Sequence, residues 1–465
     1  MIRFFRSSVS RLPALLLCLG AILRITGTGA AAIWQDEANT VRRAASPFLT
    51  LWMDGSENSG ALLLDVILRP LMAISHSVWM LRLPSMLAGL ISLWLVWKLM
   101  QRLGFTLPQQ IATAVIVACL PGLLWISQDA RAYSLLACLF LAALWFALES
   151  RWYGLLAVCG LMIYAHKIGP AFAITALVIG AYVFPWKIRR ILLVAALTVA
   201  SWIPAIVNML THWIIQQPWQ PVLTVAWLLY STIRGVWPML HPDWFWLLAF
   251  AVLLRTLLYL FCKVRAYSRI VPLMAWTLPC LALVAISLVT GNNMLMYRTL
   301  QPALFPFALW LGWEVGRERS FTFLRFPYAW TAMLIIGLAL WHPAQRGGGL
   351  DQVAAQIRSQ WRTGDTLLYT TDTVGLPFDY YLGDLPHAWD ATARSPFLLM
   401  PSSQRLTVEP YTGDPARSWV IIPEDGLITQ EERSILTDLV HHQQPVFTVA
   451  YMQAATINVY LMEEP

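Results

Sequence analysis

Two adjacent carboxylates, Asp36 and Glu37 in Trp34-Gln35-Asp36-Glu37-Ala38-Asn39-Thr40, stand directly after the first long apolar run of the chain. Further ionisable residues sit at the ends of later runs: Asp129 and Arg131 in WISQDARAYSLL, His166 with Lys167, Arg234, and Arg298 after Tyr297. Acids and cations beside apolar segments are costly unless paired, so a mixed group of them is a functional candidate. The chemistry they offer is acid–base and phosphate chemistry. Asp36 can act as a general base, taking a proton from an acceptor hydroxyl. Arg131, Lys167 and Arg298 can hold a phosphate leaving group, and the planar fork of arginine suits bidentate contact with phosphate oxygens. A phosphate at a membrane interface points to a lipid phosphate, with any attached sugar projecting into water.

Plainer roles stand beside these. Acids favour a helix N-terminus, so Asp36 and Glu37 can cap the next helix. Asp129 and Arg131 can form an interfacial ion pair. His166 can be a satisfied interface histidine, and Lys167 can reach to headgroups along its apolar stem. Arg298 can anchor headgroups. Arg24 lies deep in the first apolar run, where it faces a polar cavity or reaches outward. The spread of acids and cations over separate turns favours function over capping for Asp36 and Glu37.

The elements that must position these residues are membrane helices. Of 465 residues, 58% are hydrophobic and 12% charged, which is far from soluble-domain composition. Apolar runs recur near the roughly 20 residues that span a bilayer, and the 24 Trp suit membrane–water interfaces. Up to residue 342 there are 25 Lys and Arg against 10 Asp and Glu; beyond it there are 7 against 15. The +7 of the whole chain thus joins a basic membrane part to an acidic tail and is no sign of nucleic acid. The six cysteines, Cys18, Cys119, Cys138, Cys159, Cys262 and Cys280, lie in apolar runs without a CxxC pair and read as small core residues. The basic start and GAAA imitate a cleaved leader, but the run continues to Trp34 and reads as an uncleaved first helix.

Basic clusters at Arg3/Arg6/Arg11, Lys98/Arg102, Arg151, Lys187/Arg189/Arg190, Lys263/Arg265/Arg269 and Arg317/Arg319/Arg325 mark cytoplasmic ends. Spans are then expected at 12–33, 82–101, 108–126, 132–149, 152–166, 168–185, 190–208, 243–262, 269–290, 299–316 and 325–341. That makes about 11 transmembrane helices, N-terminus inside and tail outside. Segments 61–74 and 222–240 read as interfacial helices. The fold class expected is a mainly α polytopic bundle, 1–342, with a small α/β extracytoplasmic domain, 343–465. In the tail, LDQVAAQIRSQW places Leu350, Val353, Ala354, Ile357 and Trp361 on one helical face. TLLYTT, SWVIIP, FTVAYM and TINVYLM read as strands, and TQEERSILTDLV as a helix with a capping box. Asp372, Asp379, Tyr380 and Tyr381 read first as a solvated surface, with acceptor recognition as the alternative, since aromatic faces suit sugars.

The acidic pair after the first helix resembles the hallmark of the GT-C glycosyltransferases. The resemblance is strongest to the glycosyltransferase family 39 branch (protein O-mannosyltransferases and lipid A aminoarabinose transferases) and to the rhizobial lipopolysaccharide galacturonosyltransferases. WMLRLPSMLAGLISLWLVWKLMQRLG is similar to the family's arginine-leucine-proline-serine second helix. WISQDARAYSLL is similar to its acidic-x-arginine-x-tyrosine loop, and NNMLMYRTLQPALFPFALWLGW to its tyrosine-arginine-proline segment. The order and spacing of these stretches, over most of 1–340, carry the resemblance. It implies an inverting transferase using a polyprenyl-phosphate sugar. Asp36, Glu37 and Asp129 would be the catalytic acids, and Arg131, Tyr133, His166, Lys167 and Arg298 the donor phosphate and sugar contacts. One departure is DGSENSGALLLDVILRP, where relatives carry a basic or histidine-proline motif; His166 or Lys167 would substitute. The sequence makes no cofactor certain and leaves a divalent metal ion open, since Asp36 and Glu37 can ligate one. Expected partners are the polyprenyl-phosphate sugar donor, a lipid, glycan or protein acceptor, and membrane lipids. The compact layout looks bacterial, which gives an inner-membrane protein with a periplasmic tail. The rival readings are a transporter or flippase of lipid-linked sugars and a scaffold with an external binding domain. Transporters keep their ionisable residues at the midplane, often in repeated halves, and neither feature is visible.

Overall fold

The computed structural model of the chain describes residues 11–48, 62–212, 231, 267–290, 293–317, 348–369, 372–385, 387–389, 417–424, 444–451 and 455–463. In chain order the helices of the first part are α1 (Leu12–Gly27), α2 (Gln35–Ala45), α3 (Leu62–Ile74), α4 (Val78–Arg102), α5 (Leu107–Cys119), α6 (Pro121–Ser127), α7 (Tyr133–Leu148), α8 (Trp152–Ala165), α9 (Gly169–Val183), α10 (Ile188–His212), α11 (Tyr267–Thr290), the single turn α12 (Tyr297–Leu300) and α13 (Leu304–Arg317). The later part holds α14 (Leu350–Gln360), β1 (Thr366–Tyr369), α15 (Asp372–Leu382), β2 (His387–Trp389), β3 (Arg417–Glu424), β4 (Phe447–Tyr451) and β5 (Ala455–Glu463). The chain divides into two compact units. One comprises Met1–Thr28, Gly55–Pro70 and Arg82–Trp341, and the other Gly29–Asp54, Leu71–Leu81 and His342–Pro465.

The first unit is a helical bundle. Among the described residues Val78–Arg102, Pro185–Val207 and Tyr267–Thr290 are long and apolar enough to cross a membrane, and α5 with α6 does so as a bent pair. Helices α1, α7, α8 and α9 are apolar but shorter. The bundle's outer surface is apolar too: Leu15 and Ile22 of α1 and Leu192, Leu193 and Val199 of α10 are exposed, as a lipid-facing surface requires. The protein is an integral membrane protein.

Helices occupy the spans expected at 82–101, 132–149, 152–166, 168–185, 190–208 and 269–290. The spans expected at 243–262 and 325–341 lie outside the described residues, as does 222–240 apart from residue 231. Of segment 61–74, Leu62–Ile74 is helical as α3, with Pro70 inside it. Three spans differ from expectation. The first helix stops at Gly27 rather than residue 33, because Gly27-Thr28-Gly29 ends it and a new helix starts at Gln35. The span 108–126 is broken by a 56° bend at Leu120–Pro121, since proline has no N–H for the helical ladder. The span 299–316 begins as α12 and a 3₁₀ turn, Gln301–Ala303, before α13.

The second unit holds a five-stranded sheet in the order β2-β1-β3-β5-β4. Strand β1 runs parallel to β2 and β3, while β5 is antiparallel to β3 and β4. Trp419 pairs with Leu461 and Ile421 with Val459, and Trp419, Ile421 and Val459 are buried. Buried Asp365 accepts Trp419 Nε1–H at 3.0 Å and pairs with Arg417 at 3.1 Å. Helix α14 buries Leu350, Val353, Ala354 and Ile357, the face read from the sequence. The helix α15 and strand β2 were not foreseen, and the helix expected over TQEERSILTDLV lies outside the described residues.

Candidate functional site

The turn carrying Asp129 and Arg131 is set by a break in a helix. Pro121 cannot donate to Val117, four residues back, so that carbonyl loses its intrahelical partner. Arg24 supplies one from α1: its Nη2 donates to Val117 O at 3.1 Å, its Nη1 to Gly20 O at 2.8 Å and its Nε to Ser127 Oγ at 3.2 Å. The approach is close enough that a Cβ on Gly20 would stand 3.0 Å from Ala118 Cα. Arg24 is fully buried, and its odd depth in the first helix is explained by this capping role.

The residues after the break are clamped to α1 and α4. Gln128 Nε2 donates to Leu23 O at 2.8 Å. Arg82 Nη1 donates to Thr28 O at 2.9 Å. Ser85 Oγ donates to Arg131 O at 2.9 Å, and Ser134 Oγ to Ser85 O at 2.7 Å. The Arg82-Leu83-Pro84-Ser85 stretch thus holds the end of α1 through Thr28 O and the end of this turn through Arg131 O.

Five of the site residues read from the sequence come together here. Asp129 is fully buried, and its carbonyl accepts Arg131 N–H at 2.7 Å. The Arg131 side chain hydrogen-bonds Tyr133, which also feels the charge of Asp129. The Tyr133 ring lies 5.0 Å from the ring of His166. His166 is buried, and its Nδ1 accepts Ile168 N–H at 3.2 Å, so the neutral tautomer carries its proton on Nε2. The turn from His166 is tight: a Cβ on Gly169 would lie 2.1 Å from Met162 O. Lys167 keeps part of its surface accessible, yet its ammonium is desolvated. Burial first, and the like charge of Arg131 second, bring it down to about 8. Two cations held together in a low-dielectric setting favour an anion that can touch both.

Arg298 sits on α12. Thr299 Oγ1 accepts Met296 N–H at 3.0 Å and donates to Met294 O at 2.9 Å, and Ser287 Oγ accepts Met294 N–H at 2.8 Å. The 3₁₀ turn that follows packs against α7, the helix opened by Tyr133. Gln301 in that turn is fully buried, and neither its amide nitrogen nor its oxygen has a hydrogen-bond partner among the described residues. A buried polar group in that state is costly. Sequence reasoning missed it, for a lone Gln in an apolar segment gives no signal.

Asp36 and Glu37 belong to the other compact unit. Trp34 is extended and precedes α2, so both acids fall in its first turn, with no side-chain cap from Trp34. This is where a helix dipole favours carboxylates. Capping alone does not account for their burial: Glu37 is fully buried and Asp36 half-buried. Asn39 and Arg43 of the same helix are buried as well. They are four residues apart and so share one face, a pattern that sequence reading passed over. Among the described residues, no group of three His, Cys, Asp or Glu is placed to hold a metal ion.

No family model matches the chain, and no curated protein matches it. Solved structures do. The chain is similar to ArnT from Cupriavidus metallidurans in the apo state, with 11% identity over 96% of this chain and 97% of that one, at a TM-score of 0.46. It is likewise similar to the same ArnT bound to undecaprenyl phosphate, with 13% identity, the same coverage and the same TM-score. ArnT is an aminoarabinose transferase, one of the GT-C glycosyltransferases that the sequence motifs resemble.

Proposed function

We propose that the chain is a membrane glycosyltransferase of GT-C type. It moves a sugar from a polyprenyl-phosphate donor to a lipid, glycan or protein acceptor on the extracytoplasmic face. The observation that carries this reading is the pair of neighbouring cations, Arg131 and Lys167, grouped with Asp129, Tyr133 and His166. A sugar phosphodiester has one negative charge, and the phosphate released when the sugar leaves has up to two. Cations that repel each other before the ligand arrives are stabilised most by the more highly charged leaving group, which is the transition-state preference that catalysis needs.

In the reaction, the acceptor oxygen attacks the anomeric carbon and the bond from that carbon to the phosphate oxygen breaks, with inversion. The electron pair leaves with the phosphate, held by Arg131, Lys167 and Arg298. The proton of the acceptor hydroxyl passes to Asp36, with Glu37 beside it. Asp129 orients Arg131 and Tyr133, and His166 offers Nε2–H to the donor. The topology that goes with this reading has about eleven crossings, with the N-terminus cytoplasmic and residues 343–465 periplasmic.

The test is transfer by purified protein with a panel of labelled polyprenyl-phosphate sugars, wild type beside Asp36→Asn. Label moved by wild type alone is the expected result, and it also names the sugar. Equal binding of undecaprenyl phosphate by both proteins, with no donor turned over by either, would replace transfer with transport of lipid-linked sugars.

A further inference from the structure

The second compact unit ties the acidic helix to residues far along the chain. Ile33 N–H, two residues before α2, donates to the Tyr381 hydroxyl at 2.8 Å. Ile33 and Trp34 are both buried and Tyr381 is half-buried, so the donor end of this hydrogen bond is withdrawn from water. The neighbouring Tyr380 hydroxyl donates to the carbonyl of His76, just before α4. The two rings stand edge to face, 4.9 Å apart, an arrangement that limits their independent movement. Their helix α15 packs against α2, α14, β1 and β3. Phe378 and Leu382 fasten it there by burial. Its last turn is held too: Arg358 Nη2 donates to Tyr381 O at 2.9 Å, and Arg358 pairs with Asp384 at 2.6 Å.

We propose that Tyr381, with Tyr380, is a positioning residue that sets the start of α2, and that the C-terminal sheet serves as the foundation for Asp36 and Glu37. Continuous contact runs from β3 through α15 and Tyr381 to Ile33, three residues before Asp36. Both tyrosine hydroxyls are engaged by backbone groups, Tyr381 by Ile33 N–H at the start of the acidic helix and Tyr380 by the His76 carbonyl, and Tyr380 bears on α2 through its ring contact with Tyr381. The inference deepens the proposed function and rests on that reading for its link to turnover; the mechanical link to α2 does not depend on it.

The experiment compares wild type, Tyr381→Phe and Tyr380→Phe by amide hydrogen exchange over residues 33–40, by thermal midpoint, by binding of undecaprenyl phosphate, and by turnover of the donor that wild type uses. Phenylalanine keeps the ring and its packing; at Tyr381 it removes the hydroxyl that accepts Ile33 N–H, and at Tyr380 the one that donates to the His76 carbonyl. In Tyr381→Phe, exchange over 33–40 should quicken about tenfold, the scale of one buried backbone group losing its partner. Turnover should fall about as much, with undecaprenyl phosphate affinity unchanged, because the cations that bind it lie in the other unit. Tyr380→Phe should give a smaller change of the same kind. Unchanged exchange over 33–40 in Tyr381→Phe would overturn the inference, as would faster exchange with full turnover. A lowered thermal midpoint with turnover per folded molecule intact would reduce the tyrosines to packing, and also overturns it. If wild type turns over no donor, the proposed function fails on its own, and the exchange comparison still decides whether Tyr381 sets α2.

Discussion

Two acid-bearing turns in this protein are held in opposite ways. The turn of Asp129 and Arg131 is tied to neighbouring membrane helices by side chains bonded to main-chain carbonyls: Arg24 of α1 and Ser85 of α4 reach in, and Gln128 of the turn itself reaches out to Leu23 O. The start of α2, with Asp36 and Glu37, is held by a tyrosine 348 residues further along the chain. The first turn is a product of helix packing and of one proline. The second depends on a separate sheet. Under the proposed function the first turn carries the phosphate-binding cations and the second carries the base, so donor binding and proton transfer rest on different foundations. Mutations should therefore separate affinity from turnover.

The largest effect is expected at Asp36. Asp36→Asn keeps the size of the side chain and removes the base, so turnover should drop by about 10²–10⁴, the usual worth of general-base catalysis. Affinity for undecaprenyl phosphate should stay as in wild type. Arg131→Gln should do the reverse to binding: a lost charge-assisted contact is worth roughly 1.5–3 kcal/mol, or about 10- to 100-fold in affinity. A calorimetric titration of both variants checks the split. If Asp36→Asn weakened lipid-phosphate binding as much as Arg131→Gln, the division of labour between the turns would be wrong.

The foundation of the first turn can be broken separately. Arg24→Gln leaves the Val117 carbonyl without its cationic donor beside Pro121. The expected loss is about 1–3 kcal/mol of stability, the cost of an unsatisfied buried group, together with weaker phosphate binding. Pro121→Ala in that background returns an N–H to the helix ladder and should recover part of the stability. It should not recover binding, because the bend that presents Asp129 goes with the proline. Denaturation midpoints and lipid-phosphate titrations of the single and double variants report on each. An Arg24→Gln protein as stable as wild type would rule out the capping role.

Much of this arrangement was legible in the sequence, and the missing parts share a cause. Six of the expected spans coincide with described helices, because long apolar runs report themselves. Four of the expected strands in the tail are present for the related reason that short β-branched and aromatic runs do too. Asp129, Arg131, His166 and Lys167, which the structure groups together, could be singled out as candidates because ionisable groups among apolar residues stand out. Residues that act through the backbone gave no such signal. The role of Arg24 depends on a carbonyl freed by Pro121, more than ninety residues away. Ser85 matters through Arg131 O, and Tyr381 through Ile33 N. Such contacts depend on three-dimensional neighbours rather than on periodicity. The early stop of the first helix was legible in Gly27-Thr28-Gly29 but was outweighed by the apolar Ala30–Ile33 that follows.

The smallest effect, and the one that bears most directly on the cation pair, is a pH dependence. Lys167 is lowered to about 8 from an ordinary 10.5, chiefly by burial and then by Arg131. Between those values the unfolded chain holds a proton that the folded chain has released. Stability of the ligand-free protein should therefore rise with pH across that window, and the cost of the buried ammonium is fully present below about 8. Phosphate binding should move the other way. A lipid phosphate monoester, with its second pKa near 6, is fully charged above pH 8, so its own titration does not weaken binding there. Affinity for undecaprenyl phosphate should fall about tenfold between pH 7 and pH 9 as Lys167 loses its charge. Lys167→Arg keeps the charge throughout and should flatten the profile. A wild-type affinity that does not change from pH 7 to pH 9, or a profile that Lys167→Arg leaves as steep, would place the phosphate away from Lys167 and leave Arg131 to hold it without this neighbour.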